Sequence, residues 1–361
     1  MIRVLVAEDS PTARALLVSM LTSDPEITVI GEAHTGNQAV EMAYALRPDL
    51  ITMDVQMPGI DGLEATVRIM TRVPVPIIVV SSLASTSEVE LSLEATRAGA
   101  LMVLPKPEGP LSPRYDEQRA QLVSTVKSMA QVKVVRRWGA SNAALRSKSM
   151  TPTALGAVSG ERPRMTPAGT RQAGPERRIV AIGASTGGPA ALRDLFAELP
   201  AAFPVPVLVV QHISKGFVGG LALWLGASTK LRVKVAEAGD VARKGTVYIA
   251  PDDQHLGIRE DFRIVLSNEP AVGSFRPSAS YLFGSAAKAF GTAVVAVILT
   301  GMGDDGLYGL RAVHAAGGFV IAQDEASSVI YGMPREAVRA GIAHAVLPLG
   351  DIAPRLAEVP V

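Results

Sequence analysis

The sequence predicts an α/β protein with two doubly wound parallel sheets, one in each of two domains joined by a flexible linker. In both halves of the chain, short apolar runs alternate with segments of helical periodicity, which is typical of parallel sheets covered by helices on both faces. Between the halves, residues 139–176 are rich in Ser, Thr, Pro, Gly and Ala and lack periodic apolar residues. We therefore predict a first domain at 1–125, a closing helix and linker at 126–176, and a second domain at 177–361.

The composition limits the chemistry available to the chain. The 361 residues are enough for two separate cores. The absence of cysteine excludes disulfides, thiolate nucleophiles and zinc–sulfur sites. The first residues, MIRVLVAEDS, lack the pattern of a signal peptide. No apolar run approaches the roughly 20 residues that cross a bilayer. We expect a soluble, cytoplasmic protein without membrane insertion.

Basic charge is concentrated in one segment of a nearly neutral chain. Residues 127–178 contain eleven Lys or Arg and two Glu, although the formal net charge of the whole chain is +1. Such a segment could bind nucleic acid or an anionic surface. No aromatic residue other than Trp138 is interleaved with the charges. We interpret the segment as a solvated linker and predict no nucleic-acid partner.

In the first domain, apolar runs predict five strands, at residues 2–7, 28–31, 50–53, 77–80 and 100–104. The intervening helices are predicted at residues 11–22, 36–46, 62–71 and 87–98, with a closing amphipathic helix at 116–135. Ligands of open parallel sheets bind outside the carboxyl ends of the strands. Chemistry is therefore expected where these runs stop.

Five polar residues stand at or just after the ends of these runs. Glu8 and Asp9 follow the first run, Asp54 the third, Ser81 the fourth and Lys106 the fifth. Three carboxylates at one sheet edge repel one another unless a cation is present, and oxygen ligands suit Mg²⁺. A metal-flanked Asp54 can attack a phosphoryl group, while Ser81 and Lys106 bind the phosphoryl oxygens.

This constellation resembles a response-regulator receiver domain. The matching segments are VLVAEDSPTAR, DLITMDVQMPGIDGLEA, PIIVVSSL and GALMVLPKP. The resemblance implies a flavodoxin-like fold, Asp54 as the phosphoacceptor, and Mg²⁺ held by Glu8, Asp9 and Asp54. It also implies that Ser81 and Lys106 bind the phosphoryl group and report phosphorylation. Glu8 stands where the family often has Asp.

In the second domain, apolar runs predict strands at residues 179–183, 205–210, 233–236, 247–250, 264–267, 293–299, 319–322 and 345–347. The segment VAIGASTGGPAAL places Ser185 between the first of these strands and a helix N-terminus, where free N–H groups favour a developing negative charge. Gly187 and Gly188 permit a tight turn. The segment also fits the nucleophile-elbow pattern G-x-S-x-G. A nucleophilic serine requires a base.

The base must come from the five histidines. His212 closely follows the next apolar run, at the sheet edge expected for Ser185, and is the preferred candidate. His255, in a predicted loop after a strand, remains possible. His34 belongs to the first domain, and we interpret His314 and His344 as structural residues.

The acid that orients the base is expected at another strand end. The run at 293–299 leads into TGMGDDG, which supplies Asp304 and Asp305. A buried carboxylate there would fix the imidazole tautomer and stabilise the imidazolium. The same segment matches the dinucleotide pattern G-x-G-x-x-G. It lies late in the domain, however, and we find no convincing ribose-binding acid at the end of a following strand, so glycines beside an oxyanion hole explain it equally well.

The second domain resembles the catalytic domain of the CheB family, the chemotaxis response regulators with protein-glutamate methylesterase activity. The motifs VAIGASTGGPAAL, VLVVQHI, VYIAPDDQHL, ILTGMGDDG and IAQDEASSVIYGMPREA occur in order over about residues 178–350. The resemblance implies a Rossmann-like methylesterase domain. It also implies that Ser185 is the nucleophile, His212 the base and Asp305, rather than Asp304, the orienting acid.

The same resemblance implies the rest of the site and the activity. The backbone N–H groups of Met302 and Thr186 would hold the oxyanion, and the esterase site would need no cofactor. The implied reactions are demethylation of glutamyl methyl esters on methyl-accepting chemotaxis receptors, which releases methanol, and deamidation of receptor glutamines. A chemotaxis histidine kinase would be the phosphodonor. Ser280 stands where the family usually has Asp, which leaves the charge of the nearby pocket open.

Control is expected to come from the first domain. In the inhibited state it would pack over the Ser185 edge, and phosphorylation of Asp54 would weaken that packing. Two other functions remain open. One is a phosphorylation-controlled DNA-binding regulator, which would need a helix-turn-helix or similar reader after the receiver. The other is a hydrolase acting on a small ester or a different protein.

Overall fold

A computed structural model describes residues 1–82, 86–132, 134 and 179–358. Most of the predicted linker, and most of the basic segment with it, lies outside the described residues. Within them, two α/β domains form, and the predicted fold class is confirmed. None of the described helices combines the length and apolar character that a membrane crossing requires.

The first domain has one parallel sheet with the strand order β2-β1-β3-β4-β5, the flavodoxin-like order. Its strands are β1 (Ile2–Ala7), β2 (Ile27–Ala33), β3 (Leu50–Met53), β4 (Ile77–Ser81) and β5 (Met102–Pro105). Its helices are α1 (Pro11–Thr22), α2 (Gly36–Leu46), α3 (Gly62–Arg72), α4 (Thr86–Ala98) and α5 (Tyr115–Met129). The strand order reverses between β1 and β3, so the residues that follow these two strands are neighbours.

Local sequence signals explain several helix ends. Ser10 caps α1 by accepting a hydrogen bond from the Ala13 N–H, and Pro11 takes the first helical position. Asp61 caps α3 in the same way through the Glu64 N–H. Helix α5 ends at Met129, earlier than the predicted residue 135, and the valines that follow it pack against the core without continuing the helix.

The second domain has a seven-stranded parallel sheet in the order β14-β13-β12-β6-β7-β9-β8 and a separate two-stranded antiparallel hairpin, β10-β11. The strands are β6 (Ile179–Ala184), β7 (Val207–Gln211), β8 (Arg232–Val235), β9 (Thr246–Ile249), β10 (His255–Ile258), β11 (Ile264–Ser267), β12 (Val294–Ile298), β13 (Phe319–Gln323) and β14 (Ala345–Leu347). The helices are α6 (Gly188–Glu198), α7 (Val218–Ser228), α8 (Ala279–Phe290), α9 (Leu307–Ala315), α10 (Met333–Arg339) and α11 (Leu349–Ala357).

Strand β10 was not predicted. The sequence interpretation placed His255 in a loop, but His255 begins this strand and pairs with Ser267 of β11. The strand has only four residues and lacks a long apolar run, so periodicity does not reveal it.

The strands of the large sheet that carry the site are buried on both faces. Every residue of β6, β7 and β12 is buried, as expected for a parallel sheet covered by helices. The strand order reverses at β6, which has β7 on one side and β12 on the other. The loops after these three strands therefore meet at one sheet edge.

The two domains pack against each other. Helix α4 of the first domain lies against α6 and α7 of the second. At one contact between them, a Cβ placed on Gly220 of α7 would be 2.1 Å from the Val89 Cγ1 and 3.1 Å from the Val89 Cβ. The core cluster that contains Val89 and Leu93 continues into Leu221 and Trp224.

Candidate active site

Ser185 follows β6 directly and is half-buried, three residues before α6 begins. The turn depends on two glycines. Gly187 has φ +78°, and a Cβ there would lie 2.6 Å from the Val329 Cβ. A Cβ on Gly188 would lie 2.0 Å from the Gln211 Oε1. Side chains at either position would therefore displace the turn that presents the Ser185 hydroxyl.

His212 lies at the same sheet edge as Ser185. Strands β6 and β7 pair in parallel with Ala184 opposite Gln211, so the two candidate residues each follow a paired strand end. The His212 N–H donates to the Ala184 carbonyl oxygen at 2.9 Å. Both Ser185 and His212 line one cavity.

The imidazole is oriented by Asp305. The His212 Nε2 lies 2.9 Å from the Asp305 Oδ2. The other ring nitrogen, Nδ1, is buried and makes no hydrogen bond with any described residue. Nδ1 is therefore the ring nitrogen that stays unpaired, and no hydrogen bond joins it to the Ser185 hydroxyl in this arrangement.

Asp305 is 7% exposed and sits at the N-terminus of α8. Besides His212, its carboxylate accepts hydrogen bonds from four groups: the Ser278 hydroxyl at 2.7 Å and the backbone N–H groups of Ala279 at 2.7 Å, Ser280 at 3.1 Å and Gly306 at 2.8 Å. These donors and the helix dipole compensate the carboxylate charge in a buried place.

The pKa of Asp305 follows from these contacts. Burial alone would raise it. The hydrogen bond and charge of His212, together with the Ser278 hydroxyl and the Ala279 N–H, outweigh burial and hold the pKa well below its ordinary value of 3.8. Asp305 is therefore ionised at physiological pH, as an acid that orients an imidazole must be.

Further side chains hold this arrangement in place. The Phe275 ring stacks on the His212 imidazole, with centroids 4.1 Å apart and planes 5° from parallel. His255 is fully buried, and its Nδ1 accepts the Ser278 N–H at 3.2 Å. Its Nε2 lies 3.1 Å from the Pro270 carbonyl oxygen. His255 thus supports the cap of α8 and is not the catalytic base.

Gln211 joins the backbones of the nucleophile and the base. This side chain is 3% exposed. Its Nε2 donates to the carbonyl oxygens of Ser185 and His212, both at 2.8 Å. One amide group therefore fixes the two strand ends relative to each other.

The predicted oxyanion donors lie beside this edge. Thr186 lines the cavity, and its backbone N–H makes no hydrogen bond with any described residue. Met302 follows Gly301, where a Cβ would lie 2.7 Å from the Ser185 Cβ. Gly301 thus permits close approach to Ser185, while Gly303 and Gly306 have positive φ angles of +84° and +98° that favour glycine.

Two neighbouring residues take no direct part in the cavity. Asp304 is exposed, whereas Asp305 is buried. Ser280 is 6% exposed, and its hydroxyl accepts the Gly306 N–H at 2.8 Å. Ser280 does not line the cavity of Ser185. The expectation that this residue bears on the charge of the pocket is therefore not supported by its position.

In the first domain, the predicted carboxylates meet at the edge after β1 and β3. One oxygen from each of Glu8, Asp9 and Asp54 lies within 4.8 Å of the others. The Lys106 Nζ is 2.9 Å from the Asp54 Oδ2 and 2.9 Å from the Glu8 Oε2. The Ser81 hydroxyl donates to the Ser82 carbonyl oxygen at 3.1 Å. Ser81 thus ends β4 as predicted, but its hydroxyl is not bonded to the carboxylates.

Burial, and to a lesser extent the neighbouring charges, shift the pKa values at this edge. Burial raises the pKa of Glu8 above its ordinary value of 4.5, and the charge of Asp54 raises it further. Burial also raises the pKa of Asp54, against the opposing effect of the Lys106 hydrogen bond. For Lys106, burial would lower the pKa, but hydrogen bonds to Asp54 and Glu8 raise it.

The first domain covers the Ser185 edge of the second. The cavity of about 590 Å³ has Ser185, Thr186 and His212 in one wall. Residues from α4, β5, α5 and the connection before β5 form the facing wall, namely Leu93, Thr96, Leu101, Met102, Val103, Glu117 and Gln121. Ser214 closes one side, because its hydroxyl donates to the Val103 carbonyl oxygen at 2.9 Å.

One acidic side chain anchors the contact between the domains. Glu94 of α4 accepts a hydrogen bond from the Trp224 Nε1 at 2.9 Å and forms an ion pair with Arg193 of α6. The Arg193 guanidinium also lies over the Trp224 ring, 4.7 Å from its centroid. We call Glu94, Arg193 and Trp224 the interdomain clasp.

The fold and the two sites define a response regulator whose output domain has the arrangement of a serine hydrolase. Comparison with known proteins agrees. A family model described as "Response regulator receiver domain" matches residues 4–112, and one described as "CheB methylesterase" matches residues 180–356. The chain belongs to the CheB methylesterase family.

Relatives match along nearly the whole chain. The protein-glutamate methylesterase/protein-glutamine glutaminase 4 of Myxococcus xanthus is 54% identical over 355 residues, with 98% of this chain and 96% of the relative covered. The protein-glutamate methylesterase/protein-glutamine glutaminase 3 of Anaeromyxobacter dehalogenans is 47% identical, with 99% of this chain and 98% of the relative covered. The crystal structure of the Thermotoga maritima CheB methylesterase catalytic domain is 40% identical, has a TM-score of 0.49, and covers 51% of this chain and 98% of that domain.

Sequence reasoning missed the residues that act through backbone contacts. Gln211 immediately precedes His212, and a polar residue at the end of a buried apolar strand is a signal that could have identified it. Ser278 and Phe275 give no comparable signal, because their roles depend on how α8 and the preceding loop approach Asp305 and His212. The interdomain clasp depends on docking and has no local pattern.

Proposed function

We propose that this protein is a phosphorylation-activated serine hydrolase that demethylates glutamyl methyl esters on chemotaxis receptors and deamidates receptor glutamines. Two observations support the proposal: Ser185 and His212 follow paired strand ends and line one cavity, and the His212 Nε2 lies 2.9 Å from the Asp305 Oδ2. The family and the names of the relatives supply the substrate class.

The reaction begins with acyl transfer to Ser185. The Ser185 Oγ attacks the ester carbonyl carbon while His212 accepts the hydroxyl proton. The negative charge of Asp305 stabilises the imidazolium that forms. N–H groups of Thr186 and Met302 hold the oxyanion, and each such donor contributes about 3 kcal/mol in other hydrolases. The C–O bond to the methoxy group then breaks, and methanol leaves with the proton from His212.

Water completes the cycle. His212 removes a proton from water, which attacks the acyl-enzyme carbonyl, and the proton returns to the Ser185 oxygen as the bond to serine breaks. The product is a free glutamate side chain. On a receptor glutamine the same steps release ammonia in place of methanol, because the protonated His212 can supply the proton that an amine leaving group needs.

The acidic edge of the first domain suits a magnesium ion. Its donors are all oxygens, and burial together with the charge of Asp54 raises the pKa of Glu8, a cost that a cation would relieve. Glu8, Asp9 and Asp54 would hold the ion, which would neutralise charge around a transferred phosphoryl group. Asp54 accepts the phosphoryl group from a histidine kinase, and Lys106 is placed to bind its oxygens.

Control follows from the position of the first domain over the cavity. A receptor helix cannot reach Ser185 while α4 and β5 form the facing wall. Phosphorylation at Asp54 adds charge at the edge from which β4, α4 and β5 extend, and we expect it to weaken the contact with α6 and α7.

Replacing Asp54 by Asn should abolish activation. The amide cannot accept a stable phosphoryl group, so the ratio of methanol release with and without a small phosphodonor should fall to about 1. Asp116→Asn is a matched control, because Asp116 is an exposed carboxylate on α5 that pairs with Arg119. Activation that survives in Asp54→Asn would mean that another residue accepts the phosphoryl group.

Replacing Glu94 by Ala should raise basal activity. The change removes both the ion pair to Arg193 and the acceptor for Trp224, and weakens docking by roughly 1–2 kcal/mol, or about 5- to 30-fold in the population of undocked enzyme. Methanol release by the unphosphorylated variant measures the effect. Glu94→Gln retains an acceptor for Trp224 without the charge and should be intermediate. A fall in basal activity, or no change, would contradict a restraining clasp.

The proposed function is tested by incubating the full chain with methylated chemotaxis receptors and measuring methanol. Release should require Ser185 and should rise when a phosphodonor and Mg²⁺ are added. A protein that binds DNA in a salt-sensitive manner and releases no methanol would instead support the regulator alternative. The described residues after the receiver, 179–358, form a parallel-sheet domain, which argues against that alternative.

A further inference from the structure

The cavity between the domains has the size of a small-molecule site. Its volume is about 590 Å³, within the range of about 300–1,000 Å³ typical of ligand pockets. Ser185 and His212 both line it while Met102 and Val103 of the first domain form the opposite wall. The docked arrangement therefore leaves room above the catalytic hydroxyl.

The hydrogen bonds that hold the His212 side chain and backbone are present in the docked arrangement. While the interdomain clasp contacts are formed, the His212 Nε2 is 2.9 Å from the Asp305 Oδ2. The Gln211 amide still joins the Ser185 and His212 carbonyl oxygens. The groups that hydrogen-bond to Asp305 and Gln211 all belong to the second domain, so docking and orientation of the imidazole use different contacts.

A steric block discriminates by size. An α-helix is about 10–12 Å wide with a pitch of 5.4 Å, so a volume of 590 Å³ would hold roughly one turn of it. A receptor helix therefore cannot enter without displacing the first domain. A short-chain ester is much smaller than the cavity.

The residues that line the cavity suit a neutral substrate better than a strongly charged one. The charged residues at the cavity are Glu117, Asp253 and Arg276, which carry both signs. Asp253 is already paired with Lys215. Apolar side chains such as Leu93 and Phe275 supply much of the remaining wall.

We propose that the docked, unphosphorylated enzyme hydrolyses small neutral carboxylic esters at Ser185, an activity that does not require phosphorylation. This rests on the proposed hydrolytic function of Ser185 and His212. The Ser185 oxygen bonds to the acyl carbon, the bond to the alcohol breaks, and water then displaces the serine, so that one ester and one water give one acid and one alcohol. Phosphorylation controls which substrates are admitted and leaves the chemical step unchanged.

A reversible lock provides the test. The chain has no cysteine, so a Val89→Cys/Gly220→Cys variant contains only the engineered pair. The Cβ positions would be 3.1 Å apart, slightly closer than the mean of about 3.8 Å in disulfides, so a small outward shift suffices. Neither residue belongs to the catalytic machinery. Hydrolysis of p-nitrophenyl acetate and methanol release from methylated receptors are measured on the oxidised and the reduced full chain.

The oxidised enzyme should hydrolyse p-nitrophenyl acetate within about twofold of the reduced enzyme, while its receptor demethylation falls by roughly 100-fold or more. Ser185→Ala in the same background should remove the hydrolysis of p-nitrophenyl acetate. Loss of that hydrolysis on oxidation with recovery on reduction, or hydrolysis that persists in Ser185→Ala, would overturn the inference. A reduced enzyme that cleaves the acetate but releases no methanol from receptors would overturn the proposed function instead.

A second measurement needs no disulfide. Phosphoramidate with Mg²⁺ should raise receptor demethylation by the unmodified chain and leave hydrolysis of p-nitrophenyl acetate unchanged. A series of acetate, butyrate and octanoate esters should show activation only for the longest chain, which outgrows the docked cavity. Equal activation for all three esters would contradict a steric gate.

Discussion

Replacing Ser185 by Ala should lower receptor demethylation by on the order of 10⁴- to 10⁶-fold, since removing a nucleophilic serine has effects of this size in other hydrolases. The variant keeps the turn, because alanine fits wherever the serine backbone does. Methanol released from methylated receptors measures the loss.

Ser274 provides a matched control for this prediction. It lines the same cavity, but its hydroxyl makes no hydrogen bond with a histidine or carboxylate among the residues that the structure describes. Ser274→Ala should keep activity within about twofold. If Ser185→Ala retained wild-type activity, the hydroxyl at 185 would not be the nucleophile, and the assignment of His212 as its base would fail with it.

Replacing Asp305 by Asn should lower demethylation by roughly 10⁴-fold. The amide offers one acceptor oxygen where the carboxylate serves five donors, and its NH₂ group opposes the N–H groups at the start of α8. The imidazole loses its orientation and the charge that stabilises its protonated form. Asp304→Asn is the matched control, because Asp304 is exposed and adjacent. Similar losses in both variants would contradict the specific role of Asp305.

The same substitution should reduce stability in a pH-dependent way. The pKa of Asp305 is lower in the folded chain than its ordinary value of 3.8. Ionised Asp305 therefore stabilises the folded state above about pH 3.8, and this contribution is lost as the pH falls toward the folded-state pKa. Thermal unfolding should show a lower Tm for Asp305→Asn at neutral pH and a smaller difference in acid. A difference that grows in acid would contradict the lowered pKa.

The strand-end residues could be predicted because parallel sheets gather strand ends at one edge. Glu8 and Asp54 are far apart in the chain but follow the neighbouring strands β1 and β3. In the same way, Ser185 and His212 follow the neighbouring strands β6 and β7. Alternation of apolar runs and helices was enough to place them. The prediction needed only the order of elements and the rule that ligands bind at the carboxyl ends of strands.

The choice between Asp304 and Asp305 required more than spacing. Both follow the same apolar run, and only the family resemblance separated them. In the structure, Asp305 is buried because Ser278 and the first turn of α8 come against it from elsewhere in the chain. A contact between distant segments leaves no local periodic signal. For this reason the roles of His255 and Phe275 also escaped prediction.

The interdomain clasp is the contact that the local sequence indicates least. Glu94 and Arg193 are separated by 99 positions and lie in different domains. Each is an ordinary charged residue on an amphipathic helix when its own segment is considered. Their role follows only from how α4 docks on α6 and α7, so the sequence predicted that the first domain covers Ser185 without indicating which residues hold it there.

The central claim is that one hydroxyl, at Ser185, is activated by His212 and Asp305 for hydrolysis. Labelling the full chain with a small fluorophosphonate, followed by peptide mass spectrometry, tests it most directly. One label per chain should appear on Ser185, with receptor demethylation lost in proportion to labelling. A label on a different residue, or a chain fully labelled at Ser185 that still releases methanol at the wild-type rate, would contradict it.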